Sequence, residues 1–161
     1  MIIKLKFILL GIIILSGGAF LVWQTESRLQ QPQANGDDTP KIQITVYKSP
    51  TCGCCGGYIT YLKGQGFDVK VEDVRDTLAI KEKYGIPPEL EACHTAVIGN
   101  YFIEGHVPVE AIKKLLSEKP EIQGIALPGM PSGAPGMTGP KIGKFDIFGV
   151  SSGQVFEFLS L

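Results

Sequence analysis

Three of the chain's four cysteines fall within the run Cys52-Gly53-Cys54-Cys55, where a strand-like segment gives way to a helix-like one. No other feature constrains the fold as tightly, because the elements on both sides must be arranged around a turn full of sulfur. Upstream, Ile42, Ile44 and Val46 alternate with polar residues, the period of a strand, and Ser49-Pro50 breaks the run. Downstream, Tyr58, Ile59, Tyr61 and Leu62 form one apolar helical face that stops near Gly64 and Gly66. A helix starting at the cysteines aims unpaired N–H groups at the sulfurs, and that field favours thiolate. Thiolate is both a nucleophile and a metal ligand, so the turn predicts sulfur chemistry without choosing between disulfide exchange and metal binding.

The remaining periodicities predict the scaffold. Phe67, Val69 and Val71 alternate as a second strand, and Asp76 or Thr77 caps a helix carrying Leu78, Ile80 and Tyr84, closed by Gly85. Pro87-Pro88 forces a turn. Ala96-Val97-Ile98 and Tyr101-Phe102-Ile103 flank Gly99-Asn100, a hairpin signal. Pro108 suits the first turn of a further helix with Val109, Ile112, Leu115 and Leu116 on one face, and Pro120 lies beyond its end. Strand, helix, strand, helix, hairpin, helix is the order of an α/β, thioredoxin-like mixed sheet with flanking helices, whose first two strands are parallel with a right-handed crossover. From Pro128 to Met137 prolines and glycines exclude helix and central strand, leaving a loop. Phe145–Phe148 and Gln154–Phe158 around Ser151-Ser152-Gly153 predict a terminal β-hairpin, packed on the domain or extending its sheet.

The N-terminus differs in kind. Lys4 and Lys6 precede an uncharged apolar stretch from Phe7 to Trp23. A cleaved signal peptide and an uncleaved membrane anchor both fit, and a buried helix fits poorly because the segment has no polar face. The anchor is favoured: apolar residues continue past the only small-residue cluster, Ser16-Gly17-Gly18-Ala19, and Trp23 sits where an interfacial aromatic lies. Either way the rest of the chain is exported, so it is expected on the periplasmic side of the inner or plasma membrane, where disulfides persist. The predicted organisation is signal anchor or signal peptide 1–24, flexible polar linker 25–39, domain 40–127, and Pro/Gly/Met loop with hairpin 128–161. Composition agrees with one domain plus attachments: 161 residues, 44% hydrophobic, formal net charge −1. Without basic clusters and interleaved aromatics, no nucleic-acid partner is expected.

The third sulfur, Cys54, argues for metal. A dithiol oxidoreductase working through Cys52 and Cys55 needs two thiols, and a third invites mispairing, whereas a metal site profits from extra bridging thiolates. Soft sulfur selects copper(I) or zinc. Cys52, Cys55, Cys93 and His94 could supply zinc's four ligands, which would make the domain a zinc-stapled interaction module with a structural metal, though two separate C-x-x-C knuckles are missing. Iron–sulfur spacing is not matched. A purely structural disulfide set would close little loop entropy, because three of its cysteines are near neighbours. In glutaredoxin-like chains a Thr-Val-Pro segment opens the strand beside the dithiol. The matching place here reads Cys93-His94-Thr95-Ala96, which removes the proline and puts a thiol and an imidazole there instead. His106, after the hairpin in Glu104-Gly105-His106, can return toward the site as a ligand or cap a turn, and Glu104 can support a ligand or be solvated. Met130 and Met137, each after Pro-Gly or Ala-Pro-Gly, offer thioethers for copper(I) or simply fill gaps.

Together these motifs carry a resemblance. Tyr47-Lys48-Ser49-Pro50-Thr51-Cys52-Gly53-Cys54-Cys55, Cys93-His94-Thr95-Ala96, Glu104-Gly105-His106-Val107-Pro108 and Ala126-Leu127-Pro128-Gly129-Met130-Pro131 resemble the metal-binding family that includes the bacterial copper-resistance protein CopG, over about residues 41 to 137. The resemblance implies a thioredoxin-like fold, an exported location and a cysteine-bridged, multinuclear copper site tied to copper tolerance, with copper handled between its redox states. It implies Cys52, Cys54, Cys55 and Cys93 as sulfur ligands and His94 and His106 as imidazole candidates. Other copper-handling proteins are the implied partners. The N-terminal segment and terminal hairpin lie outside it.

Overall fold

Residues 40–161 are described by a computed structural model of the chain. The expected anchor and linker, residues 1–39, lie outside the described residues. Among the described residues no helix is long and apolar enough to cross a membrane.

The fold is a mixed α/β structure built on one sheet of seven strands. In chain order these are β1 (Gln43–Lys48), β2 (Asp68–Asp73), β3 (His94–Ile98), β4 (Tyr101–Gly105), β5 (Gly124–Leu127), β6 (Asp146–Ser151) and β7 (Gln154–Ser160). Helix α1 (Gly53–Gly64) joins β1 to β2, α2 (Leu78–Tyr84) and a 3-10 turn (Pro88–Leu90) lead to β3, and α3 (Val109–Glu118) joins β4 to β5. The sheet order is β2-β1-β3-β4-β5-β6-β7. β1 runs parallel to β2, and β4 to β5; every other neighbouring pair is antiparallel.

Sequence and structure agree on why most elements form. In β1, Ile44 and Val46 are fully buried, as the period-two pattern requires. The β3–β4 hairpin turns through Gly99-Asn100 with Ile98 opposite Tyr101, and Gly99 takes the positive φ that a two-residue turn needs. On α1 the inward face is Cys55, Tyr58, Ile59 and Leu62; on α3 it is Val109, Ala111, Ile112 and Leu115. All of these side chains but Cys55 meet Ile44, Val46, Ala96, Ile103 and Ile125 in the main core.

Two features depart from the sequence reading. Strand β5 was not foreseen. It is a four-residue apolar run, Gly-Ile-Ala-Leu, buried throughout and too short to show alternation. Gly124 is required there, since a Cβ would collide with the Phe102 carbonyl and ring on β4. Through β5 the terminal hairpin joins the sheet: β6 pairs with β5, and Phe145 and Leu161 close the end by exchanging backbone hydrogen bonds at 2.8 and 3.0 Å. The second departure is α2. Asp76 does cap it, accepting from the Leu78 N–H at 2.8 Å, and Gly85 ends it in the left-handed conformation. The expected apolar face is not what it buries, however. Leu78 is exposed, and the buried residue is Lys81.

Candidate metal centre

The topology gathers the chemistry-bearing residues at one end of the sheet. β1 leads into Cys52, which occupies the N-cap of α1, and Cys54 and Cys55 follow in the first turn. β3 lies antiparallel to β1 with His94 opposite Lys48, so the start of β3 sits beside the end of β1. β4 returns antiparallel to β3, and its last residues, Glu104 and Gly105, lie at the same end. His106 follows directly. Residues 39 positions apart in sequence are thereby in contact.

Four sulfurs cluster there. Cys54 Sγ lies 3.7 Å from Cys52 Sγ and 3.6 Å from Cys93 Sγ, and Cys55 Sγ lies 3.7 Å from Cys93 Sγ. Cys52 and Cys55 are joined as a disulfide, leaving Cys54 and Cys93 as free thiols, both half-buried. Two imidazoles adjoin the same sulfur of Cys93: His94 Nδ1 at 3.3 Å and His106 Nε2 at 3.6 Å. Donor atoms of Cys52, Cys54, Cys55 and Cys93 lie within 4.8 Å of one another, and so do those of Cys93, His94 and His106. Cys93 belongs to both groups.

The protonation states of the two imidazoles suit soft-cation binding. His106 Nδ1 is 2.7 Å from the Pro135 carbonyl, which can only accept, so Nδ1 carries the proton. In the neutral ring Nε2 is then a bare lone pair aimed at Cys93. Burial, helped by the neighbouring His106 and Lys81, lowers the His94 pKa to about 3, and burial lowers that of His106 as well. Both rings are neutral at pH 7, the form that ligates metal. His94 Nε2 is buried and has no hydrogen-bond partner among the described residues. The nitrogen of His94 that faces the sulfurs is Nδ1; when it accepts from the protonated Cys93 thiol the ring proton sits on Nε2, beside the Gly105 backbone. Burial, with the hydrogen-bonded Cys54 beside it, pushes the Cys93 thiol up to about 12. Cys93 is therefore protonated until a cation displaces the proton. The donor set, thiolate plus neutral imidazole, fits copper or zinc rather than hard cations. The Cys52–Cys55 disulfide must be reduced before those two sulfurs can contribute.

Other side chains enclose the site. Tyr58, one turn beyond Cys54 on α1, packs its ring 4.8 Å from that of His94 and 5.2 Å from that of His106, and its hydroxyl donates to the Val107 carbonyl at 2.9 Å. The loop after Leu127 lies directly on α1: a Cβ on Gly57 would strike the Gly136 carbonyl, and one on Gly136 the Gly57–Tyr58 peptide. That contact brings Pro135 within reach of His106. Behind the site, Lys81, Thr95 and Glu104 are buried together. Burial raises the Glu104 carboxyl above its usual range, opposed by Lys81, Thr95 and the Ala92 N–H. Nothing in a lysine on a short helix distinguishes Lys81 from the solvated majority. Of the two loop methionines, Met137 packs against the main core and Met130 is exposed with a positive φ.

Comparison with known proteins agrees with this geometry. Residues 90–137 match the family described as a protein of unknown function, DUF411. The chain is similar to two solved structures of copper resistance protein CopG, form 2 with TM-score 0.70 and form 1 with TM-score 0.69. Each is 37% identical, and each match covers 75% of this chain and 98% of the solved one. No curated protein matches the chain.

Proposed function

This chain belongs to the copper resistance protein CopG family, and from that premise we propose that it is an exported, thioredoxin-like protein that captures copper(I) in a multinuclear Cys/His site. Cys52, Cys54, Cys55 and Cys93 supply sulfur, and His94 and His106 supply nitrogen. Residues 7–23 anchor it on the periplasmic side of the membrane, from which it exchanges copper with other copper-handling proteins. One observation carries the reading: Cys93 Sγ is shared by the four-sulfur group and the thiol–imidazole group. A thiolate common to two donor sets can bridge ions, and soft donors of both kinds select copper over hard cations. Met130, exposed on the loop that lies on α1, offers its thioether to an arriving soft ion, and Met137, packed against the main core, is a further thioether of the same loop.

The Cys52–Cys55 disulfide supports redox handling as well. Closing it from the dithiol releases two electrons and two protons, and two copper(II) ions accept those electrons to become copper(I). Reopening it takes two electrons from an external dithiol. The same disulfide favours a second reading, a thiol–disulfide oxidoreductase using Cys52 and Cys55.

Titration of the reduced full-length chain with copper(I) against a competing chelator separates them. Tight binding with a sulfur-dominated X-ray absorption shell and a short metal–metal vector is expected. A Kd of ~1 μM or weaker would remove the copper role. Insulin reduction that survives chelation and Cys54→Ser but not Cys52→Ser would establish the oxidoreductase instead. Zinc retained by protein purified without added metal would change the cargo.

A further inference from the structure

We propose that Lys81 and Glu104 are positioning residues: a buried polar clamp through which α2 and β4 hold the Cys93–His94 segment in ligand geometry. The proposal deepens the copper reading above and rests on it.

The clamp brackets the two ligand residues on both sides. Glu104 faces Thr95 directly across the β3–β4 pair. Its Oε1 accepts from the Ala92 N–H at 2.6 Å, and its Oε2 accepts from the Thr95 hydroxyl at 2.6 Å. Lys81 Nζ donates to Glu104 Oε1, to the Ala92 carbonyl at 3.0 Å and to Thr95 Oγ1 at 3.5 Å. Both polar backbone atoms of Ala92, just before Cys93, and the side chain of Thr95, just after His94, are thus tied to one ion pair. Three donors on two carboxylate oxygens is the arrangement of an ionised group. The backbone at Gly105 closes the same corner. Gly105 has φ 77°, and a Cβ there would lie 2.6 Å from the Leu127 carbonyl and 3.0 Å from the Ala92 Cβ.

The energetics argue against a purely stabilising role. Taking a lysine and a carboxylate out of water costs several kcal/mol per ion after relaxation, and apolar residues of similar volume are often as stable or more so. Lys81 and Glu104 are respectively 3% and 0% exposed. What an apolar pair would lose is direction: hydrogen bonds specify where Ala92 and Thr95 sit, while packing alone specifies only volume. Cys93-His94 begins a strand with no proline ring to stiffen it, and the clamp supplies that restraint. Outer groups that orient metal ligands typically account for 10–100-fold in affinity.

The test uses the reduced full-length chain and four proteins besides wild type: Lys81→Met, Glu104→Gln, the double variant Lys81→Met with Glu104→Leu, and Thr95→Val. Copper(I) affinity is measured by chelator competition, the ligand shell by X-ray absorption, and apo stability by thermal denaturation. Each single clamp variant is expected to bind copper ~10-fold or more weakly, with less nitrogen in the shell. The double variant is expected to recover melting temperature relative to the single variants without recovering affinity or shell. Affinity and shell that return together with stability would overturn the proposal, as would wild-type values in the folded single variants. Should those variants fail to fold, Thr95→Val decides: it removes one hydroxyl at constant shape, and an unchanged affinity and shell would overturn the proposal equally. A wild-type protein that fails to bind copper tightly marks failure of the copper reading instead.

Discussion

The two halves of the candidate centre are built on opposite plans. The thiol turn, Cys52 to Cys55, is local: three sulfurs arrive on one turn of backbone, Cys52 and Cys54 are half-buried, and a disulfide already joins two of them. The imidazole corner is non-local. His94 comes from β3, His106 from beyond β4, and its hydrogen-bonding partner from a loop 29 residues later. Both rings are fully buried against Tyr58. The difference teaches how a protein can combine adaptability and rigidity at one site. The turn carries a disulfide between neighbours in sequence that can open and close on short-range geometry, whereas the corner depends on partners that distant segments bring to it, such as the Pro135 carbonyl at His106. Cys93 stands where the two plans meet.

Removing that joint should have the largest effect. Cys93→Ser is expected to lower copper(I) affinity ~100-fold or more, beyond either Cys52→Ser or His94→Gln, with the apo melting temperature little changed. If Cys52→Ser costs more in the same chelator competition, the halves are not coupled through Cys93.

Next comes a contrast between two glycines. Gly136 has φ 77° and no room for a Cβ against α1. Gly136→Ala is expected to destabilise by ~1–3 kcal/mol in denaturant unfolding and to detach Pro135 from His106. Gly53, in the thiol turn, has nothing within 4 Å of its Cβ position. Gly53→Ala is expected to be neutral or stabilising by up to ~1 kcal/mol, the smallest effect of the set. Equal costs at both positions would erase the distinction between a packed corner and a free turn.

Acid sharpens the comparison further. The His94 pKa falls from 6.5 to about 3 on folding, so between those values the unfolded chain binds a proton that the folded chain refuses. Stability from this group is present in full above about 6.5 and is lost as pH falls toward about 3, and His106 shifts in the same direction. The apo melting temperature should therefore drop across that window, less steeply in His94→Gln. Identical slopes in the two proteins would show that His94 is not held neutral by burial.

Legibility followed the same division. Periodicity and turn residues marked β1, α1, the β3–β4 hairpin, α3 and the terminal hairpin, because local backbone preferences specify them. The sulfur motif was visible for the same reason. β5 escaped because four apolar residues carry no period. α2 was recognised, but its buried face was misassigned: tertiary context turned Lys81 inward, toward a carboxylate that only the fold brings near.

By itself, then, the order of residues determined the thiol turn, the elements around it and the presence of a second thiol–imidazole pair further on. Only the tertiary structure decided that this pair meets the turn, that His94 and His106 are neutral, and that Lys81 and Glu104 lie behind them. The physical reason is range. Dihedral preferences and hydrophobic periods act over a few residues, whereas burial, which sets the protonation of the imidazoles and the partners of each polar atom, exists only once β1, β3, β4 and the loop have packed together.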